Sequence, residues 1–259
     1  MSKDFAFTLE ARAQPGEEVS LKAGFVPTVS RSVRQIGFWS AVFATVCSVG
    51  YGIAVTVVMI SAMTAATAPG WQGIEAYVAS YQPISMLPVI PSLPLAVAFI
   101  ALMVSIHYYA REDKRIWSHL GLTFAIIYAV IASINYIVQL TVVRLGILNK
   151  ETDGLAMFVM GNPHSIFWAL ASAYIFMNLA MLFAAPVFDG GKLERWIRWL
   201  FFANGASVAV SVFGVVVDSP PIYLLVSLVP WCVIFSLATA LLAVLFKRME
   251  RVSQSAAVR

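Results

Sequence analysis

Residues 94–115 read PLAVAFIALMVSIHYYAREDKR, and the break after Tyr109 decides how the whole chain is read. From Pro94 to Ile106 there is no charge and one hydroxyl, Ser105; from residue 111 come Arg, Glu, Asp, Lys and Arg in a row. A helix that is apolar all round has no face to give to water, so it needs lipid or the middle of a large core. Upstream, PISMLPVIPSL (83–93) carries the same uncharged run back to Pro83. A span needs about 20 residues to cross roughly 30 Å of hydrocarbon at 1.5 Å per residue. The run is long enough.

Downstream of the charged break, IWSHLGLTFAIIYAVIASINYIVQLTVVR (116–144) begins a second run, and the alternation continues in both directions. The apolar segments are Phe38–Ala65, Pro83–Tyr109, Ile116–Val143, Ser165–Phe188, Trp196–Val217 and Ile222–Phe246. Between them stand AREDKR (110–115), NKETDG (149–154), DGGKLER (189–195) and DSPP (218–221), with KRMER (247–251) after the last. Asn162-Pro163 and Ser219-Pro220 read as helix starts, a capping side chain followed by proline in the first turn. The chain is 60% hydrophobic and 12% charged, against about a quarter charged in soluble domains; its mean hydropathy is +0.83. The predicted fold is an all-α membrane protein, a six-transmembrane-helix bundle. A polar N-terminal tail (1–36) precedes the membrane domain (37–246), and a basic tail (247–259) follows it.

Lys and Arg set the orientation. Of the 17 in the chain, all but Arg144 and Lys150 fall on one side of a six-span threading. That side is the expected cytoplasmic one and holds both termini, as in a bacterial cytoplasmic membrane protein. The pI of about 9.1 is thus a topology signal. No basic patch with interleaved aromatics points to nucleic acid. The first 36 residues lack the charged-apolar-cleavage pattern of a signal peptide, so the first span is expected to be retained. Cys47 and Cys232 sit alone in apolar surroundings and read as small hydrophobes.

Known catalytic patterns are missing. No acidic residue lies within a span, which removes carboxylate dyads and buried proton relays. No GxSxG, HExxH, GxGxxG or P-loop occurs. The balance of residues therefore points away from an enzyme without closing the question, and an intramembrane enzyme using His or Tyr is a third functional class. His107 and His119 flank the 110–115 break at similar depth and are the weak candidates for a metal or haem. Their place beside a charged rim accounts for them without any cofactor.

Polar residues within the spans carry the functional reading. Pro88, Pro91 and Pro94 each remove an N–H that a helix would direct at Ile84, Leu87 or Ile90, so the second span is expected to be broken in its outer half. Asn135 and Gln139, four apart, share a face of the third span with Tyr128. Asn135 falls roughly 8 Å inside the outer boundary, and Gln139 at it. Tyr136 and Thr141 are expected to turn away from that face, and Arg144 to reach the interface. An outer-leaflet cavity between the second and third spans, lined by Ser85, Pro88, Pro91, Ser92, Tyr128, Asn135 and Gln139, is the expected ligand site, for a neutral or lipid-like molecule. Repair of the broken helix by the two amides is the competing role. Asn178 and Asn204 lie at equal depth, about 12 Å above the inner edge, and read as an interhelical hydrogen-bonded pair.

Two smaller patterns complete the reading. Trp71, Ile74, Tyr77, Val78 and Tyr81 stand at helical spacing in the 70–82 loop, as in an interfacial helix. Small residues recur every fourth position at Ala44, Ser48, Gly52 and Thr56, and at Ala203, Ser207 and Ser211; such rows let helices approach closely. They pack within the chain, against a second copy, or against another membrane protein. The alternative function is accordingly an accessory or assembly subunit of a membrane complex.

Overall fold

A computed structural model describes residues 29–64, 70–216 and 230–257, and the regular structure among them is helical throughout. The elements are α1 (Arg31–Thr64), α2 (Ile74–Ala79), α3 (Val89–Tyr109), α4 (Arg115–Val138), α5 (Arg144–Asn149), α6 (Ile166–Ala171), α7 (Tyr174–Ala184), α8 (Lys192–Val216) and α9 (Phe235–Ala257). A 3₁₀ turn, Pro83–Met86, precedes α3; a π turn, Gln139–Val143, joins α4 to α5; and a second π turn, Pro230–Ile234, leads into α9.

The long helices pack in chain order and close on themselves. α1 packs on α3, α3 on α4, α4 on α7, α7 on α8, α8 on α9, and α9 back on α1. Neighbours run antiparallel where side chains meet. Gly52 abuts Cys232 while Arg34 reaches Ser253, and Phe99 meets Tyr128 while His107 meets Ser118. One end of the bundle therefore gathers Arg111, Arg115, Arg195 and Lys247, with Arg111 paired to Asp189 across two loops (3.7 Å). The other end carries Arg144 and Lys150. They are called here the basic end and the sparse end.

Aromatic side chains fill the ring in two layers. Near the basic end Tyr109, Phe188, Phe201 and Phe246 pack from four different segments. Towards the sparse end Phe99, Tyr128, Tyr174, Trp231 and Phe235 do the same. Gly121 brings α4 within backbone contact of α7: a Cβ there would stand 2.8 Å from the Ala180 carbonyl oxygen. The α1–α9 seam is polar and uses the small-residue row of α1, with Ser236 Oγ donating to Ser48 Oγ (2.9 Å), Ser48 Oγ to the Trp231 carbonyl (2.6 Å), and Thr45 Oγ1 to Thr239 Oγ1 (2.8 Å).

The outside of the bundle is what lipid requires. Trp39 is 66% exposed and Val97 67%, and Ile126, Val130, Ile134 and Ile137 form an exposed stripe along α4. In water an apolar surface of that extent would be a liability; in hydrocarbon it is the expected exterior. Among the described residues, five stretches are long and apolar enough to cross a membrane: Arg31–Ala62, Pro83–Tyr109, Glu112–Asn149, Ile166–Val187 and Pro230–Ser253. This is the fold of a multi-pass, all-helical membrane protein.

Several boundaries differ from the sequence expectation. The segment expected as Trp196–Val217 is helix α8, which opens on Lys192, Glu194, Arg195 and Arg198 and completes the ring. Among the described residues, five stretches meet the length and apolarity needed to cross, α8 not among them. The basic tail expected from residue 247 continues the last helix to Ala257, since no proline or glycine interrupts KRMERVSQSAA. The third span runs on through its π turn to Asn149, so Arg144 is helical. Asn162 does not cap a helix. Its Oδ1 accepts from the His164 N–H (3.0 Å) in a local turn, and Ser165 precedes the first residue of α6. The Ser219-Pro220 start, the first residues of the sixth expected span and most of the N-terminal tail lie outside the described residues.

Candidate functional site

The prolines of the second span do less damage than their spacing predicts. Pro83 opens the 3₁₀ turn, Pro88 precedes the first residue of α3, and Pro91 lies in its first turn, where N–H groups have no intrahelical acceptor in any case. The Ile84 and Leu87 carbonyls accept from Leu87 N (3.0 Å) and Ile90 N (3.3 Å) in tighter i+3 bonds. Ser92 Oγ donates to the Pro88 carbonyl (2.7 Å), and Ser85 Oγ to the Gln82 carbonyl (2.8 Å). Pro94 alone stands inside the helix. The span is interrupted towards the sparse end, yet its carbonyls at Ile84 and Leu87 are already engaged.

The amides of the third span accordingly turn elsewhere. α5 ends at Lys150, whose backbone takes the left-handed conformation (φ 61°), and the chain folds back over the sparse end. Gln139 Nε2 donates to the Phe158 carbonyl (2.8 Å), and Asn135 Nδ2 to the Phe167 carbonyl (3.4 Å). Both side chains are buried, as are Leu155 and Val159 of the returning loop. Asn162 Nδ2 to Ala156 O (2.9 Å) and Trp168 Nε1 to Met160 O (3.0 Å) fix the loop internally. The two amides thus pin the 155–167 segment to the bundle; they do not repair the proline-rich span. Gln139 opens the π turn, a local widening that recurs at functional positions. Asn135 Oδ1 and Gln139 Oε1 are buried without a hydrogen-bond partner among the described residues.

Tyr136 is not turned away. It is buried, and its hydroxyl is hydrogen-bonded to that of Tyr174. Tyr174 stacks on Trp231 with ring centroids 3.7 Å apart, and Tyr128 leans on Tyr174 at 5.4 Å. Tyr128 therefore belongs to the aromatic layer. Thr141 is exposed and returns its proton to the Ile137 carbonyl (2.7 Å). Deeper in the bundle, Asn204 Nδ2 donates to Asn178 Oδ1 (2.8 Å), and Asn178 Nδ2 to Ser207 Oγ (3.0 Å). His107 and His119 stand edge to face, 5.6 Å between centroids, with His107 Nδ1 engaged by Ser118 Oγ (2.9 Å). No group of three His, Cys, Asp or Glu gathers among the described residues.

The segment pinned by Asn135 and Gln139 contributes Gly161 to the lining of a cavity. Gly161 lies against the ring of Tyr77, where a Cβ would meet Tyr77 Cδ2 and Cε2 at 2.6 Å. The cavity, about 340 Å³, opens at the sparse end between the last turns of α1, the loop carrying α2, and the 3₁₀ turn before α3. Its walls are Trp71, Tyr77 and Tyr81, the polar Gln72, Gln82 and Ser85, and apolar Val58 and Ile84. Among the described residues, no Asp, Glu, Lys, Arg or His lines it. The Tyr81 hydroxyl is shut away from solvent, beside the Ser85 hydroxyl. Burial, and secondarily the neighbouring Tyr81 phenol, pushes Tyr77 up to about 12. Burial also raises Tyr81.

Of the residues singled out from sequence, Ser85 lines this cavity directly. Asn135 and Gln139 do not line it; they bond to the segment that carries its lining residue Gly161. Pro88, Pro91, Ser92 and Tyr128 belong to the bundle beneath. Trp71, Tyr77 and Tyr81 were visible as aromatics at helical spacing; the contact of Tyr77 with Gly161 across a second loop was not, because it joins segments about 80 residues apart. Fold and site together define a helical membrane protein with an uncharged, aromatic-walled cavity at one end. In comparisons with protein-family models, curated proteins and solved structures, the chain matches none.

Proposed function

We propose that this protein crosses the membrane six times with its basic end in the cytoplasm, and that it binds an uncharged amphiphilic molecule at its outer end. What supports six spans is the closed ring, in which α8 occupies the fifth place in chain order, and the placing of Arg144 and Lys150 opposite the other basic residues. The observation that carries the binding reading is the cavity lining. Among the described residues, aromatic rings, amides and hydroxyls surround about 340 Å³ with no lining group more ionisable than a phenol. A charged ligand would find no oppositely charged partner among those lining side chains. An uncharged one with a hydroxyl or carbonyl has Gln82 and Ser85 to meet it and Val58, Ile84 and Trp71 to cover its apolar part. The volume suits a small molecule or one portion of a lipid.

Ala76 is exposed and lines the mouth, so Ala76→Trp fills the site without touching the core. The test is mass analysis of an organic extract of the purified protein. The wild type yields an uncharged species that Ala76→Trp protein, equally stable, lacks. Identical extracts from the two proteins would refute the reading.

A further inference from the structure

We propose that the basic end holds an anionic phospholipid in a cleft between the start of α1 and the last turns of α9. The cleft, about 370 Å³, is lined by Phe38, Ala243, Val244, Lys247, Arg248 and Arg251. Its upper part is cationic. Lys247 and Arg248 are exposed, Lys247 Nζ lies 5.1 Å above the Phe38 ring, and Arg31 and Arg34 of α1 stand close by. Glu250 is the one carboxylate on these two helix ends, and Lys247 already pairs with it (2.9 Å). Arg34 is committed to Ser253 Oγ (3.2 Å) and to the Val29 carbonyl. Arg248 has no ion pair among the described residues, and the cluster retains a clear positive excess.

Charge alone would suit any phosphate; what lies below it selects a lipid. Val233, Leu237 and Val244 are exposed at 50%, 53% and 41% and fall at spacings of four and seven residues, in line with Arg248 four residues on. That spacing keeps them on one helix face. The face is an apolar track a turn or more long, headed by guanidinium and ammonium groups at the depth where headgroup phosphates lie. Phe38 and Val244 form the joint between the two zones. A phosphate would sit among Lys247, Arg248 and Arg251, with an acyl chain running down the Val244–Leu237–Val233 track. Basic pockets between spans at a membrane surface hold anionic headgroups in this manner.

The experiment uses the whole protein in nanodiscs and compares retention of phosphatidylglycerol with that of phosphatidylcholine, after transfer to detergent and native mass spectrometry. Wild-type protein should keep phosphatidylglycerol preferentially. Each cation removed should weaken it about fivefold, and Lys247→Gln with Arg248→Gln and Arg251→Gln together on the order of a hundredfold. Leu237→Ser with Val244→Ser should weaken the phospholipid as well, and inorganic phosphate at millimolar concentration should fail to displace it. Equal retention of the two lipids by wild-type protein overturns the proposal whatever the variants do. So does a triple variant that keeps phosphatidylglycerol as well as wild type, and so does displacement by phosphate, which would reduce the site to an anion site.

Discussion

Replacing Gln139 by Met removes one hydrogen bond and little else, and it tests whether a side chain inside the bundle sets the shape of a cavity at its surface. The Gln139 amide donates to the Phe158 carbonyl at 2.8 Å; Gln139 is buried and Phe158 partly buried. Methionine matches the shape, so no void opens. The Phe158 carbonyl then loses its donor, at a cost towards the lower end of the roughly 1–3 kcal/mol of a buried unpaired acceptor. Gln139 Oε1 has no partner in the native protein, however, and its removal returns part of that cost. A net of about 1 kcal/mol follows, which is roughly a fivefold rise in the opening of the 155–167 loop. Hydrogen exchange on peptides covering that loop is the assay. The variant should exchange about fivefold faster there, with the amides of α3 and α7 unchanged, and should retain less of any cavity-bound molecule. Loop exchange equal to wild type in a folded Gln139→Met protein would refute the link between the third span and the cavity wall.

Three further outcomes are expected. Gly121→Ala places a methyl 2.8 Å from the Ala180 carbonyl oxygen, so α4 and α7 must part; overpacking of this kind costs about 1–3 kcal/mol, read as a lower unfolding midpoint in detergent. A double-mutant cycle of Asn178→Leu and Asn204→Leu should return a coupling of about 0.6–1.7 kcal/mol, while the same cycle between Asn178 and Gln139 returns none. Tyr77 titrates near 12 instead of near 10, because burial favours its neutral form. Its contribution to docking α2 is therefore complete below pH 10 and is lost as pH rises through about 12. Tyrosinate absorbance near 295 nm follows the change, and Tyr77→Phe should remove that step.

What was legible in the sequence is what the solvent dictates. Uncharged runs such as Pro94–Ile106 have one physical use, so the helices and the ends they bring together follow from pattern alone. Depth arithmetic also works inside a bundle, since rise per residue is fixed: it places Asn178 beside Asn204. It failed for Asn135 and Gln139 because depth gives height and not azimuth. Two faces of the third span were open to them, towards the second span or towards the fourth. The choice went to the fourth because the 3₁₀ bonds at Leu87 and Ile90 had already satisfied the second. Tyr136 was misplaced for a related reason. The π turn and the tight α4–α7 approach at Gly121 set which face is inside, and neither has a strong sequence signature. The cavity itself depends on two loops meeting, Gly161 against Tyr77, a contact no periodicity encodes.

Native mass spectrometry of the intact protein in mild detergent tests the central claim most directly. An uncharged amphiphile in the cavity formed by Trp71, Tyr77, Tyr81 and Ser85 predicts one extra uncharged mass per chain in the wild type. That mass should be absent from Ala76→Trp and diminished in Gln139→Met. A wild-type protein that flies only as the bare chain, or an adduct that Ala76→Trp keeps in full, would contradict it.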